Sequence, residues 1–168
     1  MKVLLYGYGN QGREDDGLGI SFVEAIEIWA KEKGFGFLDF DSNYQLNIED
    51  AHEIAGYDIV LFADASQEKI DTFTVSKVKA SPEVSFTMHA VSPEFVLNLC
   101  QCISDSVPEV YLIHIKGIAW EMKEELTEIA TANLEMALNV IQAVLTDTFK
   151  QPESERKAFL IRALEDIS

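Results

Sequence analysis

The chain has 168 residues, 48% hydrophobic and 25% charged, with a formal net charge of −16 at pH 7. That length and mix suit one domain with a sizeable core, and the charge argues against nucleic acid and anionic membrane as partners. It leaves room for a basic protein partner, beside the plainer role of keeping the chain soluble.

Residues 2–6, KVLLY, read as a buried strand ending at Gly7. From Ile20 the apolar positions Ile20, Val23, Ile26 and Ala30 recur at helical spacing, and Lys31, Lys33 and Gly34 form a C-terminal stop. FGFLDFD, 35–41, reads as a second strand and NIEDAHEI, 47–54, as a short helix. DIVLFADA, 58–65, is a third strand whose unbroken apolar run fits cover on both faces. TFTVSKVK, 72–79, alternates with period two and reads as an edge strand. A loop over 81–91 follows, and then Ser92-Pro93-Glu94, a helix start with a cap, a first-turn proline and an acid for the dipole. EVYLIHIKG, 109–117, is another strand. Thr127 opens a long helix with Leu134, Leu138, Ile141 and Leu145 on one face, and a last amphipathic segment after Pro152 carries Leu160, Leu164 and Ile167. Strands alternating with helices predict an α/β domain with helices on both faces of the sheet.

Cys100 and Cys102, one residue apart, fit neither a C-x-x-C motif nor a disulfide framework and read as small buried hydrophobes on a helix. The opening MKVLLYGYGN reaches glycine before a signal-peptide core can develop, and no apolar run approaches the roughly 18 residues that cross a bilayer. A cytoplasmic protein is expected.

The stretch GYGNQGREDDGLG, 7–19, places Gly7, Gly9 and Gly12 at the G-x-G-x-x-G spacing of a dinucleotide cradle, with Asp39 or Asp41 placed to hold a ribose. Glu14, Asp15 and Asp16 oppose that reading. Two unit charges about 4 Å apart interact by about 4 kcal/mol at an effective dielectric of about 20, so carboxylates beside a pyrophosphate repel it. The same helix start keeps carboxylates ionised, and they can bind a cation or simply cap the helix. Asp64 ends the third strand, where open α/β sheets bind ligands, unless it only caps the next turn. His89 lies in the loop before Ser92, and His52 and His114 read as structural. Asp16, Asp64 and His89 can meet above one sheet edge and form a donor set for Zn, Ni, Mn or Fe.

GYGNQGREDDGLG resembles the G-x-G-N-x-x-x-x-D-D/E-x-x-G opening of nickel–iron hydrogenase maturation endopeptidases. DFDSNYQLNIEDA, IVLFADAS, TMHAVSPEFVLNL and the later IHIKGIAW with ELTEIATANLEMAL are similar to that family's successive segments, in the same order, over roughly residues 2–145. The resemblance implies a three-layer α/β/α sandwich around a mixed, mostly parallel five-stranded sheet, with 1–150 as the α/β domain and 151–168 as a helical extension packed on it. It implies that Asp16, Asp64 and His89 contact a metal, nickel above all and otherwise another divalent ion. It also implies cleavage of a C-terminal peptide from the nickel-loaded large subunit of a hydrogenase, by a protein expected to be a monomer. Three features depart from the pattern. Glu94 stands after Ser-Pro where some relatives have the histidine, IKGIAWEMKEEL is less glycine-rich than usual, and the tail after Gln151 extends past the match.

Amide hydrolysis needs an activated water and a stabilised oxyanion. A metal supplies both, and two aspartates sharing a proton are another route. No Ser–His–Asp or Cys–His spacing is visible in the sequence. Metal catalysis and recognition of nickel carried by the substrate both fit the three residues, and a non-catalytic escort of the immature subunit would use the same site.

Overall fold

The computed structural model describes residues 1–83 and 91–167. Five strands, β1 (Val3–Tyr8), β2 (Leu38–Asn43), β3 (Ile59–Ser66), β4 (Phe73–Lys77) and β5 (Glu109–Lys116), form one sheet in the order β2-β1-β3-β5-β4. All pairs are parallel except β4 on β5. The sheet is therefore mixed, with the 72–79 segment at its edge as its alternation predicts. Helices α1 (Leu18–Lys33), α2 (Asp50–Ile54), α3 (Pro93–Ile103), α4 (Glu128–Lys150) and α5 (Arg156–Glu165) cover both faces.

Alternation along each strand builds two cores. Val3 and Leu5 of β1, Ile59 and Leu61 of β3 and Ile113 of β5 pack with Phe22 of α1, Ile141 of α4 and Leu160 and Leu164 of α5. Leu4 and Tyr6, Val60 and Phe62, and Val110 and Leu112 face the other way, toward Ile54 of α2 and Val96 and Cys100 of α3. Three layers result, with the extension after Gln151 contributing Leu160 and Leu164 to the first core.

Local signals set the helix ends. Gly34 adopts a left-handed φ of 70° after α1, Ser92 Oγ accepts from the Phe95 amide at 3.3 Å, and Thr127 Oγ1 accepts from the Ala130 amide at 3.1 Å. Other expectations need correction. β2 begins at Leu38, not 35, because Phe35 stacks on Phe149 and meets Trp29 edge-on, filling the gap between α1 and α4 before the strand starts. Cys100 is buried but Cys102 is exposed, since residues two apart lie on nearly opposite sides of a helix. The 23-residue α4 is long and apolar enough, by length and composition, to cross a membrane. Its apolar stripe of Leu134, Ala137, Ile141 and Leu145 lies in the first core.

The chain leaves β1 for β2 on one side and comes back to β3 on the other. This reversal opens a crevice beyond the carboxyl ends of β1 and β3, the place where open α/β sheets bind ligands.

Candidate functional site

The crevice is assembled from the 7–19 segment. Gly9 takes a φ of +136°, and a Cβ there would strike the Asp16 carbonyl oxygen. Gly7 and Gly19 lie so close that a Cβ on Gly7 would meet the Gly19 carbonyl. These contacts press a single 3-10 turn, Glu14–Gly17, and the start of α1 onto the ends of β1 and β3.

The three carboxylates of that turn divide their work. Asp15 is fully buried. Its Oδ2 accepts from the amides of Ile118 at 2.8 Å and Ala119 at 3.0 Å and from Thr127 Oγ1 at 3.0 Å, while Oδ1 accepts from the Thr127 amide at 2.8 Å. Glu14, at a left-handed φ of 46°, accepts from the Glu121 amide at 2.9 Å and from Lys123 Nζ at 3.2 Å. Arg13 Nε donates to the Trp120 carbonyl at 2.9 Å. Residues 13–15 thus clamp the 117–127 loop, which explains two of the three charges without any ligand. Burial opposes ionisation of Asp15, but the amides of Ile118, Thr127 and Ala119 and the Thr127 hydroxyl outweigh it and hold the carboxyl below the usual range.

Asp16 alone of the three turns to the crevice. It is half-buried, and its Oδ2 accepts from the Asn10 amide at 3.1 Å. Across from it Asp64 lies near the carboxyl end of β3, on the α2/α3 face. Burial pushes the Asp64 carboxyl up and the Asp16 charge adds to that; the Tyr8 hydroxyl and the Ala65 amide donate to it and pull the other way, leaving its pKa at about 7. Glu94, in the first turn of α3, is near enough for its charge to act on Tyr8 and on His114. His89 lies outside the described residues. Among the described residues, no group of three or more His, Cys, Asp and Glu side chains stands close enough to hold a metal ion. The pair brought together is Asp16 and Asp64, two oxygen donors.

Sequence reasoning missed two neighbours of that pair. Tyr8 bonds Asp64, and His114 of β5 is the register partner of Asp64 in the sheet. His114 Nε2 lies 2.9 Å from Ser76 Oγ of β4. The period-two pattern of β5 shows that His114 shares a face with Leu112, but only the pairing of β3 with β5 sets it beside Asp64.

The turn is poorly made for a pyrophosphate. Its amides are taken: Gly9 N donates to the Asn43 carbonyl, Asn10 N to Asp16, Gly12 N to Asn10 Oδ1, Arg13 N to the Asn10 carbonyl, Glu14 N to the Lys123 carbonyl and Asp15 N to the Ala119 carbonyl. Asp39 and Asp41, the ribose candidates, face Tyr57 and Glu53. Millimolar NAD or NADP is therefore expected to leave the melting temperature unchanged, whereas a ligand at 100 times its Kd stabilises by about 2.7 kcal/mol, a shift of several degrees. A thermal scan with each nucleotide checks this, and a clear upward shift refutes it.

No protein-family model and no curated protein matches the chain. Solved structures do. The hydrogenase maturating endopeptidase HybD from E. coli is 22% identical with a TM-score of 0.67, over 88% of this chain and 94% of that one. A [NiFe] hydrogenase maturation protease, HycI from Thermococcus kodakarensis, gives 19% and 0.70 over 86% and 92%. A hydrogenase 2 maturation peptidase from a Thaumarchaeota archaeon gives 22% and 0.61 over 86% and 98%. This chain has the α/β fold of the solved hydrogenase maturation endopeptidases.

Proposed function

We propose that the chain is an endopeptidase that removes a C-terminal peptide from the nickel-loaded large-subunit precursor of a nickel–iron hydrogenase. The observation that carries this reading is the Asp16–Asp64 pair at the switch-point crevice of a fold shared with solved hydrogenase maturation endopeptidases. Asp64, with its pKa near 7, is suited to take and return a proton at neutral pH. Burial is the main cause of that rise, and the Asp16 charge adds a smaller part. We assign His89 as the third member, with Glu94 as the competing residue at the mouth of α3.

Nickel enters this reading as cargo of the substrate. Asp16, Asp64 and the assigned His89 form a three-donor set that suits an ion arriving with ligands of its own. Asp16, Asp64 and His89 then read the loaded metal and set the scissile bond beside the carboxylates. This ties cleavage to prior metal insertion.

The test is the mass of a purified large-subunit precursor incubated with the chain. Loss of a C-terminal peptide from nickel-loaded precursor, and none from nickel-free precursor, is the expected result. A tight complex with no loss of mass makes the chain an escort instead. His89→Ala is expected to abolish the cut while Glu94→Gln preserves it; the reverse moves the assignment to Glu94.

A further inference from the structure

The sheet sets an imidazole next to the proposed proton carrier. Asp64 and His114 are register partners on adjacent parallel strands, which lie about 4.8 Å apart, and their side chains stand on the same face. Ser76, on the far side of β5, points to that face too, since its register partner is Leu112. The register partner of His114 on β4 is Thr74, and Ser76 stands diagonally from His114, so that Asp64, His114 and Ser76 share one face of the sheet.

The ring is anchored at one end. Nε2 lies 2.9 Å from Ser76 Oγ, and no described residue bonds Nδ1. When the Ser76 hydroxyl donates to Nε2, the ring proton sits on Nδ1. An imidazole that carries its proton on Nδ1 is a hydrogen-bond donor beside the Asp64 carboxylate.

We infer that His114 donates its Nδ1–H to the carbonyl oxygen of the scissile peptide bond, with Ser76 fixing the tautomer. This rests on the endopeptidase reading above. In the step, Asp64 takes a proton from water as the water oxygen bonds to the carbonyl carbon. The oxygen that gains charge is held by Nδ1–H. The C–N bond then breaks, the carbonyl re-forms, and Asp64 returns the proton to the leaving amine. His114 keeps its proton throughout, so Asp64 carries the proton and His114 stabilises the oxyanion.

Two measurements test this. The first is nitrogen-resolved NMR of the imidazole in the free protein at pH 7. The Nδ1–H tautomer is expected for His114, weakened in Ser76→Ala, and an Nε2–H tautomer overturns the inference. The second is the kinetics of precursor cleavage. His114→Leu is expected to lower kcat about a hundredfold or more, the usual effect of removing one oxyanion donor, with KM and melting temperature little changed. His114→Asn, whose amide N–H falls at the Nδ1 position, should recover most of that loss. A wild-type protein that leaves precursor uncut refutes the endopeptidase reading and this inference with it. A wild-type protein that cuts while His114→Leu cuts as fast refutes the inference alone.

Discussion

Asp15→Ala is expected to lower stability by about 3–5 kcal/mol, because it strips the acceptor from three backbone amides and one hydroxyl around a buried site. For a domain of this size that is roughly a 10 °C fall in melting temperature. Asp15→Asn, which keeps the shape but turns an NH2 toward those donors, should fall almost as far. The effect is pH-dependent in a fixed direction. The folded carboxyl titrates below its unfolded value of about 3.9. Its stabilisation is therefore complete above that pH and lost as pH falls through the folded pKa. Wild type should lose more stability between pH 4 and pH 2 than either variant. Thermal melts followed by circular dichroism at pH 7, 4 and 2 check both statements, and an Asp15→Ala melt within a degree of wild type at pH 7 contradicts the clamp.

Asp64→Asn is expected to depress precursor processing by about a thousandfold or more, within the range for losing a proton-transferring group, while the fold becomes more stable at alkaline pH. The sign follows from the raised pKa. Ionising Asp64 is harder in the folded chain than in the unfolded one, so the wild type loses stability as pH rises from about 4 to about 7. Asparagine carries no such cost and still accepts from the Tyr8 hydroxyl. Equal melting temperatures at pH 4 and a higher one for Asp64→Asn at pH 8 are the expected pattern. A residue kept at the expense of stability is what a site, rather than a turn cap, requires. A lower melting temperature for the variant at pH 8 would return Asp64 to the capping role.

The parts of this molecule governed by neighbours in the chain were readable before the fold. The Ser92-Pro93 start, the Gly34 stop, the Thr127 cap and the period-two edge strand each rest on interactions within a few residues. Asp64 was readable too, because a polar residue ending an apolar run marks the carboxyl end of a buried strand. What the sequence could not display lies across long separations. Glu14 and Asp15 looked like equals of Asp16, yet their partners sit more than a hundred residues away in the 117–127 loop. His114 looked structural because nothing local reveals that β3 pairs with β5. Phe35 looked like strand because its packing partner, Phe149, belongs to the far end of α4. The glycines matched a cradle spacing, but a spacing does not disclose that the surrounding amides are already bonded within the fold.

Whether the Asp16–Asp64 pair cuts decides the function. The most direct measurement follows the mass of nickel-loaded large-subunit precursor incubated, side by side, with wild type and with Asp64→Asn. Wild type is expected to release a C-terminal peptide, and the variant to bind the precursor and release none over the same time. Release of the peptide by Asp64→Asn at the wild-type rate would contradict this.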